Sequence, residues 1–190
     1  SYMIAVDTPY GEATGAFQLK LEPDLCPPND DFANAQPLSG ALPVTVSGTT
    51  VKATKESGEI SPYSGADGAS VWYTFTPAIS GRIRAATCDS EEARVGVYVG
   101  SAVSNLASQG EVRACSNTHG FQTSFNATAG TTYRIVVDRP GGGAFDLRLL
   151  LYNDDFAHAQ PIPAGPLPIS VSGSRFRATR ETSEPTQGYG

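Results

Sequence analysis

Ser70-Val71-Trp72-Tyr73-Thr74-Phe75-Thr76-Pro77 is the run of this chain with the strongest tendency to form a β-strand, because β-branched and aromatic side chains dominate it. The side chains alternate with a period of two residues, with Val71, Tyr73 and Phe75 on one face and Trp72, Thr74 and Thr76 on the other. Pro77 lacks the backbone N–H that a sheet needs and stops the run. The sequence therefore predicts a central strand that ends at this proline.

Segments with the same alternation flank this run on both sides. We predict strands at about 44–48, 49–54, 82–88, 95–99, 112–114, 121–125, 133–137 and 145–151. Turn residues separate them, notably Ala129-Gly130 and the run from Pro140 to Gly143. About nine short strands with turns between them predict an all-β fold, a jelly-roll-type antiparallel β-sandwich.

Some side chains are expected to face the interior of this sandwich. In the first two strands they are Val44, Val46, Val51 and Ala53, and in the last two they are Tyr133, Ile135, Val137, Phe145, Leu147, Leu149 and Leu151. Trp72 lies on the opposite face of its strand, and we expect it to pack either in a core or between domains.

A long-range repeat is the second feature of the sequence. Asn29-Asp30-Asp31-Phe32-Ala33-Asn34-Ala35-Gln36-Pro37 returns 124 residues later, at 153–161, with His158 in place of Asn34 as its one change. The stretch from Leu42 to Gly48 is likewise answered by 167–173, and the chain start at 2–7 resembles 133–138. A spacing of this size is the length of a small domain rather than of a solenoid unit.

These matches predict β-sandwich repeats in tandem. Residues 1–22 would be the C-terminal strands of a preceding repeat, 23–28 a linker, 29–152 a complete repeat and 153–190 the N-terminal part of a following one. Because the two terminal pieces would be incomplete sandwiches, we expect the chain to be a window on a longer repetitive protein. Leu151 almost adjoins the next Asn153, so the junction between repeats is expected to be stiff.

The repeated stretch itself looks like a capped helical turn. Asp30 or Asp31 can accept hydrogen bonds from the backbone N–H groups that follow. Phe32, Ala35 and Leu38 would then face inward.

Several short motifs follow one another in a characteristic order, namely Asn29 to Ala35, Val46 to Gly48, Ala53 to Glu59, Ser70 to Pro77, Ser80 to Ile83, Val95 to Ser101 and Ala129 to Asp138. In this order they resemble the pre-peptidase C-terminal-like (PPC-like) repeats of bacterial secreted and surface proteins. The resemblance covers 29–152 and both partial copies. It implies a jelly-roll sandwich outside the cell, either repeated in long surface proteins or appended to a secreted hydrolase, and one fold carries many functions.

A calcium site is one of two open interpretations of the acidic residues near the domain start. In collagen-binding relatives calcium binds there, and the resemblance places Asn29 and Asp30 at the matching Asn-Asp pair. Calcium takes about six to eight oxygen ligands, and Glu56 would join the pair if its loop folds back over the domain start, with Asp31 and Glu59 as further donors. The other interpretation is that the aspartates cap a turn and the glutamates are solvated.

The chain has three cysteines, and two of them lie inside the complete repeat. We expect Cys88 to form a disulfide with Cys115, which implies an oxidising compartment. The alternative is a pair of buried free thiols. Cys26, in the linker, is either free or bridged to another chain.

Composition limits the partners. The net charge is −6 and the pI about 4.8, so with no basic stripe apparent in the sequence we expect neither nucleic acid nor an anionic membrane as partner. No run of about 18 apolar residues is present, so no membrane insertion is predicted.

Motifs of catalysis are missing from the sequence, which contains no Gly-x-Ser-x-Gly, His-Glu-x-x-His or Cys-x-x-Cys. We therefore predict no enzyme and no required cofactor. The predicted function is that of a non-enzymatic extracellular repeat of a long surface or fibre-forming protein, structural or adhesive, which self-associates with neighbouring repeats or copies. The alternative is a carbohydrate- or matrix-binding accessory domain of a secreted hydrolase, with an exposed aromatic platform. The candidates for that platform are Trp72, if it is not packed, and the tyrosines Tyr63, Tyr98 and Tyr189.

Overall fold

Ten strands and two short 3-10 turns make up the secondary structure in this computed structural model, which describes residues 26–63, 68–115, 119–152, 159, 162 and 164–170. The turns are Phe32–Asn34 and Val103–Asn105. The strands are β1 Gln36–Leu38, β2 Val44–Thr49, β3 Ala69–Phe75, β4 Gly81–Ala86, β5 Arg94–Val99, β6 Ala107–Ser108, β7 Arg113–Ala114, β8 Phe121–Ala127, β9 Tyr133–Arg139 and β10 Ala144–Leu151.

The strands form two five-stranded sheets. Sheet A has the order β1-β3-β9-β5-β6 and sheet B the order β2-β10-β4-β8-β7. All pairs are antiparallel except β1 with β3, which is parallel. The order β2-β10-β4-β8 packed on β3-β9-β5-β6 is that of a jelly roll, so the predicted fold class is confirmed.

The main core lies between the two sheets. From the strand that was expected to be central, Val71, Tyr73 and Phe75 point into it, as predicted. The largest contributions from the other strands come from Ile83, Val95, Val97, Phe125, Tyr133, Ile135, Val137, Phe145, Leu147 and Leu149. Burying each such side chain contributes about 1.5–3 kcal/mol, so these alternating strands supply most of the driving force for folding.

A second apolar cluster covers the outer face of sheet A. Trp72, Tyr98 and Val136 point away from the main core, yet all three are buried, because Phe32 lies on top of them. The ring of Phe32 meets Trp72 edge-on at 5.1 Å between centroids. We call residues 29–38 the opening segment and residues 50–63 the cover loop, since together they lie over this face.

The cover loop replaces a strand that the sequence predicted. The strand expected at 49–54 is wrong, because the chain turns at Val51 and Lys52, where Lys52 has a φ of 63°. Val51 is half exposed rather than inward. Thr50 N donates to the carbonyl of Gly143 at 2.9 Å, and the chain then leaves sheet B and crosses to sheet A.

The predicted terminal pieces, 1–22 and 153–190, lie wholly or mostly outside the described residues. The predicted domain boundaries and the tandem arrangement therefore stay predictions.

Candidate functional site

Asn29 fastens the opening segment to the middle of sheet A. Its side-chain Nδ2 donates to the carbonyl of Trp72 at 2.9 Å, and the N–H of Trp72 donates to the carbonyl of Asn29 at 2.8 Å. Asn29 is 7% exposed, so both bonds are shielded from water. The residue therefore acts as one extra strand position beside β3.

Asp30 joins the opening segment to the cover loop. Its Oδ1 accepts from the backbone N–H of Thr54 at 2.6 Å, and its Oδ2 accepts from the hydroxyl of Thr54 at 2.8 Å. The capping role predicted for Asp30 or Asp31 is wrong: Asp31 stands at the start of the 3-10 turn but makes no side-chain cap. The Asp30 carboxylate binds the distant Thr54 instead of the backbone N–H groups that follow it, because Thr54 offers two hydrogen-bond donors to this one carboxylate.

The cover loop folds back over the domain start at Glu56. This is the path predicted for the loop if Glu56 is to lie near Asn29 and Asp30. The Oε2 of Glu56 accepts from the N–H of Phe32 at 2.6 Å, while its own N–H donates to Glu59 Oε2 at 3.1 Å. Glu59 also accepts from the hydroxyl of Ser70. Both glutamates are partly buried, so the expectation that they are solvated is wrong.

Burial has raised the pKa of the Glu59 carboxyl above its ordinary value of 4.5. The hydrogen bonds from Ser70 and from the Glu56 N–H, and the charge of Lys55, act in the opposite direction and are outweighed. Burial first, and then the negative charges of Asp138 and Glu59, raise the pKa of Tyr98 to about 12.

A buried ion pair completes this polar cluster. Lys55 Nζ lies 2.7 Å from Oδ2 of Asp138, whose side chain is fully buried, and also donates to Ser61 at 2.6 Å. Removing one partner would leave a buried charge uncompensated, which is strongly destabilising. Lys55 thus pins the cover loop to β9.

The arrangement of these acids favours hydrogen bonding over calcium. The carboxylates of Asp30 and Glu56 face N–H and O–H donors of Thr54 and Phe32, and a cation would instead need further oxygens at those positions. The described residues contain no group of three or more His, Cys, Asp or Glu side chains placed to hold one metal ion. Calcium at Asn29, Asp30 and Glu56 stays a prediction.

The disulfide between Cys88 and Cys115 is present, with its Cα atoms 5.8 Å apart. It links the end of β4 to the end of β7. Next to it, Asp89 N donates to the carbonyl of His119 and Cys115 N donates to the carbonyl of Gly120, both at 3.0 Å. These hydrogen bonds join the loop after β4 to the loop between β7 and β8. Cys26 is a free, exposed thiol.

A second site, which sequence reasoning missed, lies on the outer face of sheet B. It is a groove of about 520 Å³, which we call the arginine groove, lined by Arg82, Arg84, Glu111, Arg113, Gln122, Thr123, Ser124 and Tyr152. Arg82 lies over the ring of Tyr152, 4.9 Å from its centroid, and Arg113 pairs with Glu111 at 2.6 Å. Thr123 pairs with Ala85 on the core side of sheet B and is 2% exposed, so its side chain does not point into the groove.

The arginines converge because of strand alternation and pairing. In β4, Arg82 and Arg84 alternate with Ile83 and Ala85, so both arginines point away from the core. β8 pairs with β4 on one side and with β7 on the other, and that pairing brings Arg113 to the same face. Only Arg82 and Arg84 were visible as a pattern in the sequence, because Arg113 joins them through strand pairing.

The aromatic residues named for sugar stacking do not form an exposed platform in the described part of the chain. Tyr98 is buried under the opening segment, and Tyr189 lies outside the described residues. Tyr63 is 43% exposed but packs on Phe121, with the two ring centroids 4.9 Å apart.

Comparisons with known proteins give few matches. No family model matches the sequence, and no curated protein matches it. Among solved structures, the fold is similar to the crystal structure of the pre-peptidase C-terminal domain of a collagenase from Bacillus anthracis, with a TM-score of 0.37 and 18% identity, over 60% of this chain and 95% of that chain. The described helical turns include none long and apolar enough to cross a membrane. The fold that we assign is a jelly-roll β-sandwich, from the strand order itself.

Proposed function

We propose that this chain is a non-enzymatic, extracellular β-sandwich repeat of a long tandem-repeat protein, with a structural or adhesive role in a surface layer or fibre. The observation that carries the proposal is the recurrence at 153–161 of the stretch 29–37. In the described domain that stretch is the opening segment, whose Asn29, Asp30 and Phe32 each close a buried contact. A copy of the same nine positions is expected to open another sandwich.

Two further observations support this role. The Cys88–Cys115 disulfide is typical of oxidising compartments, which favours a location outside the cell. The acidic cluster under the opening segment is engaged in internal hydrogen bonds, as expected of groups that hold a domain together rather than act on a substrate.

Self-association can proceed through the open edge of sheet B. Among the described strands, β2 pairs with β10 alone and stands at the edge of the sheet, and we propose that the other side of its backbone accepts another strand. We propose strand addition at this edge as the contact between copies.

Light scattering and electron microscopy of the 190-residue chain at increasing concentration test this proposal. We expect concentration-dependent oligomers, weakened by Thr45→Lys on the exposed face of β2, because charges on edge strands oppose pairing. Ala78→Lys, which adds the same charge in the exposed β3–β4 turn, is the matched control and should leave association unchanged. A chain that remains monomeric and compact at all concentrations would exclude the fibre role.

A second function, that of a carbohydrate- or matrix-binding accessory domain, is favoured by one observation, the arginine groove. The volume of about 520 Å³ falls in the range of small-ligand sites, and converging polar side chains are what gives such sites their specificity. Screening the protein against immobilised glycans and collagen tests this function. Binding that disappears when Arg113 is replaced would support it, and a protein that binds none of them would exclude it.

A further inference from the structure

The contact between Lys55 and Asp138 brings an amine against a carboxyl group inside the fold. Nζ of Lys55 lies 2.7 Å from Oδ2 of Asp138, whose side chain is fully buried, and the side chain of Lys55 is 22% exposed. The carboxyl carbon Cγ is one C–O bond, about 1.2 Å, beyond Oδ2, so it lies within about 4 Å of Nζ. Two groups that can condense to an amide are therefore held against each other, 83 residues apart in the chain.

The carboxyl group of Asp138 has few partners for its charge. Oδ1 is buried and makes no hydrogen bond within the described part of the chain, so the contact with Lys55 is made by Oδ2 alone. A Cβ added at Gly68 would overlap Oδ1, so this oxygen packs against backbone. Arg94 stands opposite Asp138 in β5, yet its Nε and Nη1 find no hydrogen-bond partner among the described residues, and it leaves Oδ1 unsatisfied. A carboxylate held in this way is costly to bury.

The surroundings disfavour charge at a neighbouring acid as well. Burial is the first cause of the raised pKa of Glu59. Glu59 belongs to the same cluster, because it accepts from the hydroxyl of Ser70, and Ser70 stands opposite Asp138 in the pairing of β3 with β9. A buried ammonium–carboxylate pair carries a desolvation cost that a neutral group in its place does not carry. Conversion of such a pair to one amide would remove both charges at once.

We propose that Lys55 and Asp138 condense to an amide, an isopeptide bond between their side chains, as a second covalent cross-link of the domain beside its disulfide. The ammonium passes one proton to Oδ2 along the hydrogen bond, which leaves a neutral amine and a neutral carboxyl group. The lone pair of Nζ then attacks Cγ and the Nζ–Cγ bond forms. The Cγ–Oδ2 bond breaks, and Oδ2 leaves as water with a second proton from Nζ. The reaction needs no oxidant or co-reactant, and it is independent of both functions proposed above.

Position supplies the driving force for rate. An amine and a carboxylic acid that are free in neutral water do not condense, because both are charged and solvated. Groups held in a reactive orientation behave as though present at about 10⁵–10⁸ M, and the burial of Asp138 keeps water from the carboxyl carbon. In a buried site an amine loses its proton far more readily than a guanidinium, which stays charged, so lysine suits this reaction and arginine does not.

The test is the intact mass of the 190-residue chain after denaturation and reduction of the disulfide. We expect a mass below that of the sequence by one water molecule. Digestion and tandem mass spectrometry should then give one branched peptide, in which Nζ of Lys55 is joined to Cγ of Asp138. This measurement uses the parent chain, so it does not depend on how any variant folds.

Two variants assign the lost water to this pair. Lys55→Arg keeps a positive charge beside Asp138 and removes the amine, so its mass should equal that of its own sequence. Lys52→Arg is the matched control, because it makes the same replacement at an exposed position of the cover loop. It should lose one water molecule, as the parent does.

Three results would overturn the proposal. A parent chain with the full mass of its sequence would leave Lys55 and Asp138 as an ion pair. A loss of water that Lys55→Arg retains would place the dehydration elsewhere, as in an aspartate that has cyclised onto its own backbone. A branched peptide that joins Lys55 to any other carboxyl group would assign the bond to a different pair.

Discussion

At the scale of single residues, the opening segment is held by a few charged hydrogen bonds. Asp30 accepts two from Thr54 and Glu56 accepts one from Phe32, all at 2.6–2.8 Å. Hydrogen bonds to charged groups contribute about 1.5–3 kcal/mol each, against about 1 kcal/mol for neutral ones. These side chains therefore have more effect on the position of the segment than its own 3-10 turn, which is one turn long.

Glu59 is expected to make stability depend on pH. Its pKa is raised by burial, so the protonated carboxyl favours the folded state. This contribution is fully present below the unfolded value near 4.5 and is lost as the pH rises through the folded value. We expect Glu59→Gln, which stays neutral, to gain stability relative to the parent as the pH rises through this window.

Urea unfolding at a series of pH values measures this difference. Glu91→Gln is the matched control, because Glu91 is exposed in the β4–β5 loop and undergoes the same change of side chain. If the curves for both variants run parallel to that of the parent, the burial of Glu59 has no effect on stability.

At the scale of elements, the two layers of the protein differ in how far their residues could be predicted. The strands of the main core follow from strict alternation, and the inward residues of β3, β9 and β10 were all identified correctly. The cover loop was taken for a strand because Val51 and Ala53 alternate in the same manner. What decides its path is a set of contacts to distant residues, from Thr54 to Asp30 and from Lys55 to Asp138, and a local pattern carries no information about them.

The fluorescence of Trp72, the single tryptophan of the chain, reports whether the opening segment is in place. Trp72 is fully buried beneath Phe32. The guanidinium of Arg134 lies over the ring of Phe32, 4.5 Å from its centroid. Phe32→Ala is expected to destabilise the protein by about 3 kcal/mol and to shift the fluorescence of Trp72 to longer wavelength in the folded state, because water reaches the indole.

Phe121→Ala is the control for this experiment. Phe121 packs on Tyr63, away from Trp72, so its loss should lower stability and leave the emission maximum of the folded protein unchanged. An unshifted spectrum for folded Phe32→Ala would mean that the segment does not shield the indole in solution.

The disulfide is expected to contribute about 3–4 kcal/mol, from the loop of 27 residues that it closes. Reduction, or the double replacement of Cys88 and Cys115 by Ser, should lower the melting temperature by several degrees or more. Cys26→Ser, which removes an exposed free thiol, should leave it unchanged. Three reactive thiols per denatured, unreduced chain would contradict the bridge, and one is expected.

At the scale of the whole molecule, the sequence was enough for the fold class and the disulfide but not for the arginine groove. Alternation and turn residues act locally and repeat along the chain, so a jelly roll could be recognised. The groove depends on which strands become neighbours, and the placement of Arg113 beside Arg84 follows only from the pairing of β7, β8 and β4. Similarly, the net charge of −6 averages over all surfaces, so it carries no information about where the arginines gather.

Calcium affects the molecule as a whole, since a ligand that binds only the folded state raises the melting temperature. Because N–H and O–H donors already face Asp30 and Glu56, we expect neither added Ca²⁺ nor EDTA to change it. A rise with Ca²⁺ that Asp30→Asn abolishes and Asp31→Asn retains would establish the metal site instead.

The two ends of the described sandwich are held in different sheets, and the disulfide lies between them in the chain. The opening segment joins sheet A, whereas β10 sits between β2 and β4 in sheet B. If neighbouring repeats pull on these ends, the force is transmitted through the core. When the domain unfolds, the segment from Cys88 to Cys115 cannot extend, because the disulfide holds its two ends together. At about 3.3–3.6 Å per extended residue, the disulfide keeps roughly 90 Å of chain, the separation of 27 residues, from extending. In single-molecule stretching of Lys55→Arg, which cannot form the amide with Asp138, reduction should lengthen each unfolding step by about that amount, so the bridge would set how far a pulled domain can yield.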